Sequence, residues 1–242
     1  MSKSIESGHV NNVASFRRLI ATSESFDGKY NPSKESLKIS SLKLMQIDSE
    51  KVNEEVDRLI PASKTASIAL EEVFTRLSSL IPRVNNIFKS GNSKEVEEPV
   101  NALVKKLQGR RAKPKPEGEE KKKMEEEGRI TKSASRMGKD SRTENFRQLI
   151  FLLEAGVYQP NEEELKLEEL KKILNELEEK NAALTAAALP LMNARIRRNE
   201  IMYKDETGLV DVAGDVKIYI KGAFGASSPE YLSVAKLKFR RY

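Results

Sequence analysis

The side chains that most often carry out chemistry in proteins are scarce in this sequence. His9 is the one histidine and there is no cysteine, which excludes disulfides, thiolate metal sites and cysteine nucleophiles. A lone histidine also excludes a multi-histidine metal site, and a histidine-based triad would have to use His9 itself. Because His9 lies in a polar stretch ahead of the first apolar pattern, we expect it to be exposed and inert.

The carboxylates and glycines do not form a recognisable catalytic motif either. Residues 162–164 and 178–179 are runs of glutamate that fit the solvated face of a helix, and a di-iron bundle would need Glu-x-x-His motifs that are missing here. Gly222 and Gly225 lack the preceding strand and the spacing of a phosphate-binding loop. The sequence therefore predicts a protein that is not an enzyme, with no cofactor, no metal and no small-molecule substrate.

Basic residues are the remaining candidates for a binding function. They gather between positions 109 and 140, where the net charge is +4, and again at 238–242. Such segments bind phosphate backbones by releasing counterions, although glutamates interleave with the lysines here and no aromatic residue lies among them. We favour a solvated linker over a nucleic-acid-binding arm. The candidate contacts with a nucleic acid or an acidic partner are Arg110, Arg111, Lys113, Lys115, Lys121, Lys122, Lys123, Arg240 and Arg241.

The elements that position these residues come from a pattern that occurs twice. Residues 11–20 match 141–150, with Phe16 and Phe146 aligned at an offset of 130. Further matches follow in the same order with little drift in offset, as loop insertions produce. We therefore expect a tandem duplication, with one repeat at 1–108, a charged linker at 109–140 and a second repeat at 141–242.

Apolar residues within each repeat recur at helical spacing, as they do at Val13, Phe16, Leu19 and Ile20. Four antiparallel helices per repeat follow from this pattern, so the predicted fold class is all-α, with two tandem four-helix bundles joined by the linker.

Three local signals set the expected helix boundaries. Pro61 and Pro190 are expected to end or kink the long second helix of each repeat, because proline removes an interior hydrogen bond. Residues 204–208 are expected to break a helix in the second repeat. Ser228, directly before Pro229, is expected to cap the last helix.

No targeting or membrane-spanning segment is evident in the sequence. The first fifty positions contain no apolar stretch of about 7–15 residues, as a secretory signal would require. No apolar run approaches the roughly 20 residues of a bilayer span. We therefore expect a cytoplasmic protein that does not enter membranes.

Six short strings carry a resemblance to other proteins, namely 30–33 (YNPS), 109–114 (GRRAKP), 158–166 (YQPNEEELK), 193–203 (NARIRRNEIMY), 207–217 (TGLVDVAGDVK) and 224–231 (FGASSPEY). In these strings the chain resembles a set of uncharacterised tandem-repeat helical proteins common in Bacteroidota. The resemblance covers nearly the whole chain and implies a bacterial helical protein without an assigned activity.

Two functional hypotheses follow. The preferred one is a helical scaffold or interaction protein whose duplicated bundles offer two similar surfaces, suited to binding a protein partner or to self-association. The alternative is a nucleic-acid-binding protein that uses the basic linker and the basic residues at 238–242.

Overall fold

The computed structural model describes residues 3–109 and 138–242, with side chains from Glu6 onward in the first range. All regular elements in these ranges are helical and none is a strand, which confirms the all-α class. A short 3₁₀ turn precedes each of the two longest helices, at Glu35–Leu37 and at Glu163–Leu165. The α-helices are α1 (Lys3–Glu24), α2 (Ile39–Gly91), α3 (Lys94–Leu107), α4 (Lys139–Ala155), α5 (Leu167–Tyr203), α6 (Leu209–Phe224) and α7 (Pro229–Ala235).

The two prolines do not end their helices, so the predicted helix ends at Pro61 and Pro190 are wrong. α2 continues through Pro61 over 53 residues, and α5 continues through Pro190 over 37 residues. A proline inside a helix costs about 3 kcal/mol. Val56, Leu191 and Ala194, which lie within five residues of these prolines in the sequence, are buried in one small apolar cluster. Burial of apolar side chains stabilises both helices in this stretch.

The other two boundary predictions are confirmed. α5 ends at Tyr203 and α6 begins at Leu209, which leaves residues 204–208 as the expected interruption. The hydroxyl oxygen of Ser228 caps α7 by accepting a hydrogen bond of 3.1 Å from the backbone N–H of Tyr231.

The chain divides into two compact units that each combine two separate parts of the sequence. Unit 1 contains Met1–Ser63 and Ala187–Tyr242, and unit 2 contains Lys64–Ala186. This division differs from the predicted 1–108 and 141–242, because α2 begins in unit 1 and ends in unit 2 while α5 does the reverse. Each unit therefore takes the beginning of one expected repeat and the end of the other.

Aligned residues of the two expected repeats occupy the cores of different units. Phe16 lies in the core of unit 1 and Phe146 in the core of unit 2, and both are fully buried. The same holds for the later helical stretches. There the core of unit 2 contains Leu77, Leu80, Ile81, Val84 and Phe88, and that of unit 1 contains Leu209, Val212, Ala213, Val216 and Ile220.

A matching pair of tyrosines fixes the loop before each 3₁₀ turn. The hydroxyl of Tyr30 donates a hydrogen bond of 2.7 Å to the carbonyl oxygen of Leu37 in unit 1. In unit 2 the hydroxyl of Tyr158 donates to the carbonyl oxygen of Leu165 at the same 2.7 Å, and burial raises the pKa of Tyr158 to about 12. The two loops thus reach their helices by the same contact.

Candidate interaction sites

His9 lies inside unit 1, and the expectation that it is exposed is wrong. Because α1 begins at Lys3, His9 falls within the helix, and only 2% of it is exposed. Its Nδ1 atom lies 2.6 Å from the hydroxyl oxygen of Tyr203, the last residue of α5. Burial, together with the positive charge of Arg198, lowers the pKa of His9 to about 4. His9 is therefore neutral at pH 7 and packs as part of the core.

A buried ion pair lies beside His9. Arg198 is almost fully buried and pairs with Glu6, whose carboxylate also pairs with Arg195 at 3.0 Å. Burial opposes ionisation of Glu6, but the hydrogen bonds and positive charges of the two arginines hold its pKa below the ordinary value. The buried Nε atom of Arg198 has no hydrogen-bond partner among the described residues. This polar cluster therefore links α1 to the end of α5.

A segment without regular secondary structure, residues 238–242, lies over this polar cluster, and we call it the docked segment. Asn12 holds its backbone at Arg240 by two hydrogen bonds. The side-chain N–H of Asn12 donates to the carbonyl oxygen of Arg240 at 2.7 Å, and the backbone N–H of Arg240 donates to Asn12 Oδ1 at 3.0 Å. The Tyr242 and His9 ring centroids are 5.6 Å apart, and a Cβ at Gly8 would overlap the Tyr242 ring.

The guanidinium of Arg241 is held by two carboxylates. It donates to both oxygens of Asp211, at 2.9 and 2.7 Å, and to Asp205 at 2.9 Å. It also donates to the backbone carbonyl of Tyr203 at 3.1 Å. The hydrogen bonds from Arg241 hold the pKa of Asp211 below its ordinary value.

The short loop between α5 and α6 places these two carboxylates. Gly208 is needed there, because a Cβ at this position would lie 2.7 Å from the backbone N and O atoms of Lys204. Glu206 has a positive φ of 64°, and its backbone N–H donates to Asp211 at 3.0 Å. The loop at 204–208 therefore positions the carboxylates that contact Arg241. We call Gly8, His9, Asn12, Asp205 and Asp211 together the docking surface.

Unit 2 has a different arrangement at the aligned positions. Arg142 aligns with Asn12, and it is buried with its guanidinium carbon 4.0 Å from the centre of the Phe74 ring. It donates to the hydroxyl oxygen of Ser78 at 3.2 Å and lies 3.8 Å from the carboxylate of Glu71. Burial lowers the pKa of Arg142 below its ordinary value. Unit 2 therefore buries a cation where unit 1 presents an amide to a chain segment.

A line of exposed apolar side chains runs along the last part of α5 in unit 1. Leu189, Met192 and Ile196 are each about half exposed, at 50%, 51% and 50%, and we call them the apolar stripe. The spacing of three and then four residues places them on one helical face. The other face of the same stretch is buried, and it contains Leu191, Ala194, Arg198 and Met202.

A surface concavity of about 580 Å³ continues this stripe toward the end of α5. It is lined by Ile196, Asn199, Glu200, Tyr203 and Lys204.

No known family model, curated protein or solved structure matches this chain. Within residues 3–109 and 138–242, no cluster of three or more acidic or histidine side chains is arranged to hold a metal ion. None of the helices described in these ranges is both long and apolar enough to cross a membrane.

Two of the nine predicted basic contacts can be placed. Arg240 has an exposed side chain and a clamped backbone, whereas the guanidinium of Arg241 is occupied by Asp205 and Asp211. The other candidates lie outside the described residues, namely Arg110, Arg111, Lys113, Lys115, Lys121, Lys122 and Lys123.

The sequence reasoning missed the partners of the docked segment. Asn12, Asp205 and Asp211 belong to no motif, and they come together only because α1 packs near the junction of α5 and α6. One signal was available, since the predicted break at 204–208 contains two acidic residues and residues 238–242 contain three basic ones.

Proposed function

We propose that this protein is a non-enzymatic helical interaction protein, built by internal duplication, that associates with a second copy of itself. The observation that carries the proposal is the apolar stripe. Single exposed apolar side chains are ordinary on protein surfaces, but three adjacent ones on one helical face are typical of an interaction site. Covering these half-exposed side chains would contribute roughly 1 kcal/mol each.

The spacing of the stripe suits helix pairing. Leu189, Met192 and Ile196 continue into Asn199 and Tyr203 with alternating steps of three and four residues. This is the seam of a coiled coil, in which side chains of one helix fit between those of its partner. A polar residue such as Asn199 within the seam favours one register and one oligomeric state.

Charge complementarity supports a second copy as the occupant. Arg195 and Glu200 flank the seam on opposite sides, five residues apart. In a parallel pair of such helices, Arg195 of each copy faces Glu200 of the other. Within its own copy Arg195 pairs with Glu6 at 3.0 Å, and 44% of the Arg195 side chain is exposed. A surface ion pair of this kind contributes little to stability, so Arg195 can exchange partners in the dimer.

The duplication draws support from the paired contacts of Tyr30 and Tyr158 and from the aligned core positions. Within the described residues, unit 2 combines four helical segments, the number expected of a four-helix bundle, while unit 1 has the same number of its own and also the short α7. The aligned stretch of the first repeat does not repeat the stripe, because Met192 and Ile196 align with Ser63 and Ser67, and only Leu189 has an apolar counterpart, Ile60.

The test is the molar mass in solution, measured by size-exclusion chromatography with light scattering. The wild-type protein is expected to be a dimer, and Met192→Glu with Ile196→Glu to be a monomer. Ile218→Glu, at an apolar position of unit 1 that is 70% exposed, is the matched control and leaves the dimer intact.

A charge swap sharpens the test of a self-complementary pair. Glu200→Arg alone is expected to weaken the dimer, and Arg195→Glu combined with Glu200→Arg to restore it. A wild-type protein that stays monomeric at high concentration would contradict the proposal.

The alternative function, nucleic-acid binding, draws support from the net charge of +6 and from the exposed side chain of Arg240. The engagement of Arg241 by two carboxylates weighs against it. Fluorescence anisotropy with labelled oligonucleotides tests this alternative. Affinity that falls steeply between about 50 and 200 mM salt would favour it over the scaffold.

A further inference from the structure

We propose that the docking surface of unit 1 is a binding site for an extended peptide segment of a partner protein, with an arginine followed by an aromatic residue. The docked segment of this chain is then a displaceable ligand that occupies the site intramolecularly. The inference is independent of self-association through the apolar stripe, because it rests on different residues.

Each part of the docking surface recognises a different feature of the segment. Asn12 pairs with both backbone groups of one residue, which holds an extended chain whatever its side chain. Asp211 and Asp205 receive the next side chain through three hydrogen bonds. The last ring lies against His9, in space that the missing side chain of Gly8 leaves open.

The carboxylate pair selects arginine over lysine. Arg241 uses two guanidinium nitrogens, one reaching both oxygens of Asp211 and the other reaching Asp205 and the carbonyl of Tyr203. A planar guanidinium can make all of these contacts at once, whereas the ammonium group of lysine acts as a single point of charge. The site is thus a geometric match to arginine rather than a general acidic patch.

The docked segment has the properties of a removable ligand. Residues 238–242 form no regular element, and the side chains of Arg240, Arg241 and Tyr242 are all exposed in part or in full. The anchor of the segment precedes these three residues. Lys217 donates to the carbonyl oxygen of Leu237 and lies 5.3 Å from the centre of the Phe239 ring. Release of residues 240–242 therefore leaves the preceding packing in place.

The experiment uses the full chain with Arg241→Ala and Tyr242→Ala, which empties the arginine and ring positions of the site and keeps residues 236–240; it is called the emptied variant. The probe is a fluorescein-labelled peptide with the sequence of residues 236–242, KLKFRRY, and binding is followed by anisotropy. The emptied variant is expected to bind the peptide at least about tenfold more tightly than the wild-type protein, whose own segment competes.

Two further variants of the emptied protein identify the contacts. Asp205→Asn with Asp211→Asn is expected to reduce peptide affinity by about tenfold or more, since the guanidinium loses both charged partners. Asp215→Asn is the matched control, because it removes a carboxylate from the same helix that pairs with Lys34 and not with the segment. It leaves peptide affinity unchanged. A peptide with lysine in place of the second arginine is also expected to bind more weakly.

Two outcomes would overturn the proposal. One is the absence of peptide binding to an emptied variant that keeps the wild-type circular dichroism spectrum and melting curve. The other is binding that Asp205→Asn with Asp211→Asn does not weaken, which would indicate general charge attraction.

A second measurement needs no variant, because it follows hydrogen exchange at the backbone amides of the wild-type protein with and without the peptide. Excess peptide is expected to speed exchange of the Arg240 amide, which Asn12 protects. An unchanged exchange rate at this amide contradicts displacement. Failure of self-association through the stripe would change none of these measurements.

Discussion

The two units of this protein have similar buried residues at aligned positions, but their polar residues differ. Phe16 and Phe146 occupy aligned core positions, and Tyr30 and Tyr158 make the same hydrogen bond to the next 3₁₀ turn. At the aligned position beside the core, however, unit 1 has Asn12 holding a chain segment, whereas unit 2 buries the cation of Arg142.

A short insertion accounts for much of this difference. The offset between aligned residues is 128 at Leu37 and Leu165, and it is 132 at Phe88 and Ile220. The offset is already 129 at Pro61 and Pro190, so three of the four extra residues lie beyond Pro190, in the stretch where α5 gives way to α6 while α2 continues without a break. The loop that results contains Asp205 and positions Asp211. These are the two carboxylates that bind the guanidinium of Arg241 in unit 1.

The largest expected effect comes from truncating the two aligned phenylalanines. Phe16→Ala and Phe146→Ala are each expected to lower the free energy of unfolding by about 3–5 kcal/mol, because both side chains are fully buried. Urea denaturation of the two variants measures this. Equal losses support equivalent cores, and a loss below about 1 kcal/mol in one variant would break the comparison.

We expect His9, in unit 1, to make the free energy of unfolding depend on pH. The pKa of His9 is about 4 in the folded protein, against 6.5 for an ordinary histidine. Between these values the unfolded chain binds a proton that the folded chain does not, so stability falls as the pH drops from about 6.5 toward 4. His9 contributes at most roughly 3 kcal/mol to that fall.

Replacing His9 isolates this contribution. His9→Gln is expected to flatten the pH dependence of the free energy of unfolding within this window, as followed by urea denaturation at a series of pH values. Lys139→Gln at the aligned position of unit 2 is the control and leaves the dependence as in the wild type. A His9→Gln profile that parallels the wild type would place His9 in solvent.

Asn12→Ala tests the two hydrogen bonds that Asn12 makes with the docked segment, at a position where unit 2 has Arg142 instead. The substitution removes two hydrogen bonds to the Arg240 backbone, and we expect it to lower the free energy of unfolding by about 1–2 kcal/mol. It is also expected to speed hydrogen exchange at the Arg240 amide. An unchanged exchange rate would show that the segment is held by Arg241 and Tyr242 alone.

The smallest expected effect comes from the matched tyrosines. Tyr30→Phe and Tyr158→Phe each delete one hydroxyl that donates to a backbone carbonyl, at a cost of about 1 kcal/mol. Thermal unfolding of both variants gives the comparison. Closely similar shifts in Tm support two equivalent loops, and a clear difference between the variants would argue that one loop depends on other contacts.

The sequence predicted much of the local structure because helices depend on neighbouring residues. Helical spacing of apolar residues indicated the all-α class, and residues 204–208 and Ser228 were correctly taken as a break and a cap. The expected helix ends at Pro61 and Pro190 do not occur, and the buried cluster next to these prolines joins Val56 to Leu191 and Ala194, residues far apart in the chain.

The candidate sites were less predictable than the fold. Arg240 and Arg241 were singled out for their charge, but their partners Asn12 and Asp211 were not. His9 was placed in solvent because its burial depends on Tyr203 and Tyr242, which are about two hundred positions away.

The sequence by itself determined which faces of the helices are apolar, and it located the break at 204–208 and the cap at Ser228. Only the tertiary structure decided which parts of the chain share a core. Two similar repeats offer similar apolar faces, so pairing within a repeat or between repeats would bury comparable surface. A continuous helix of 53 residues is much longer than a small domain and cannot fold back on itself, so its two ends belong to different cores.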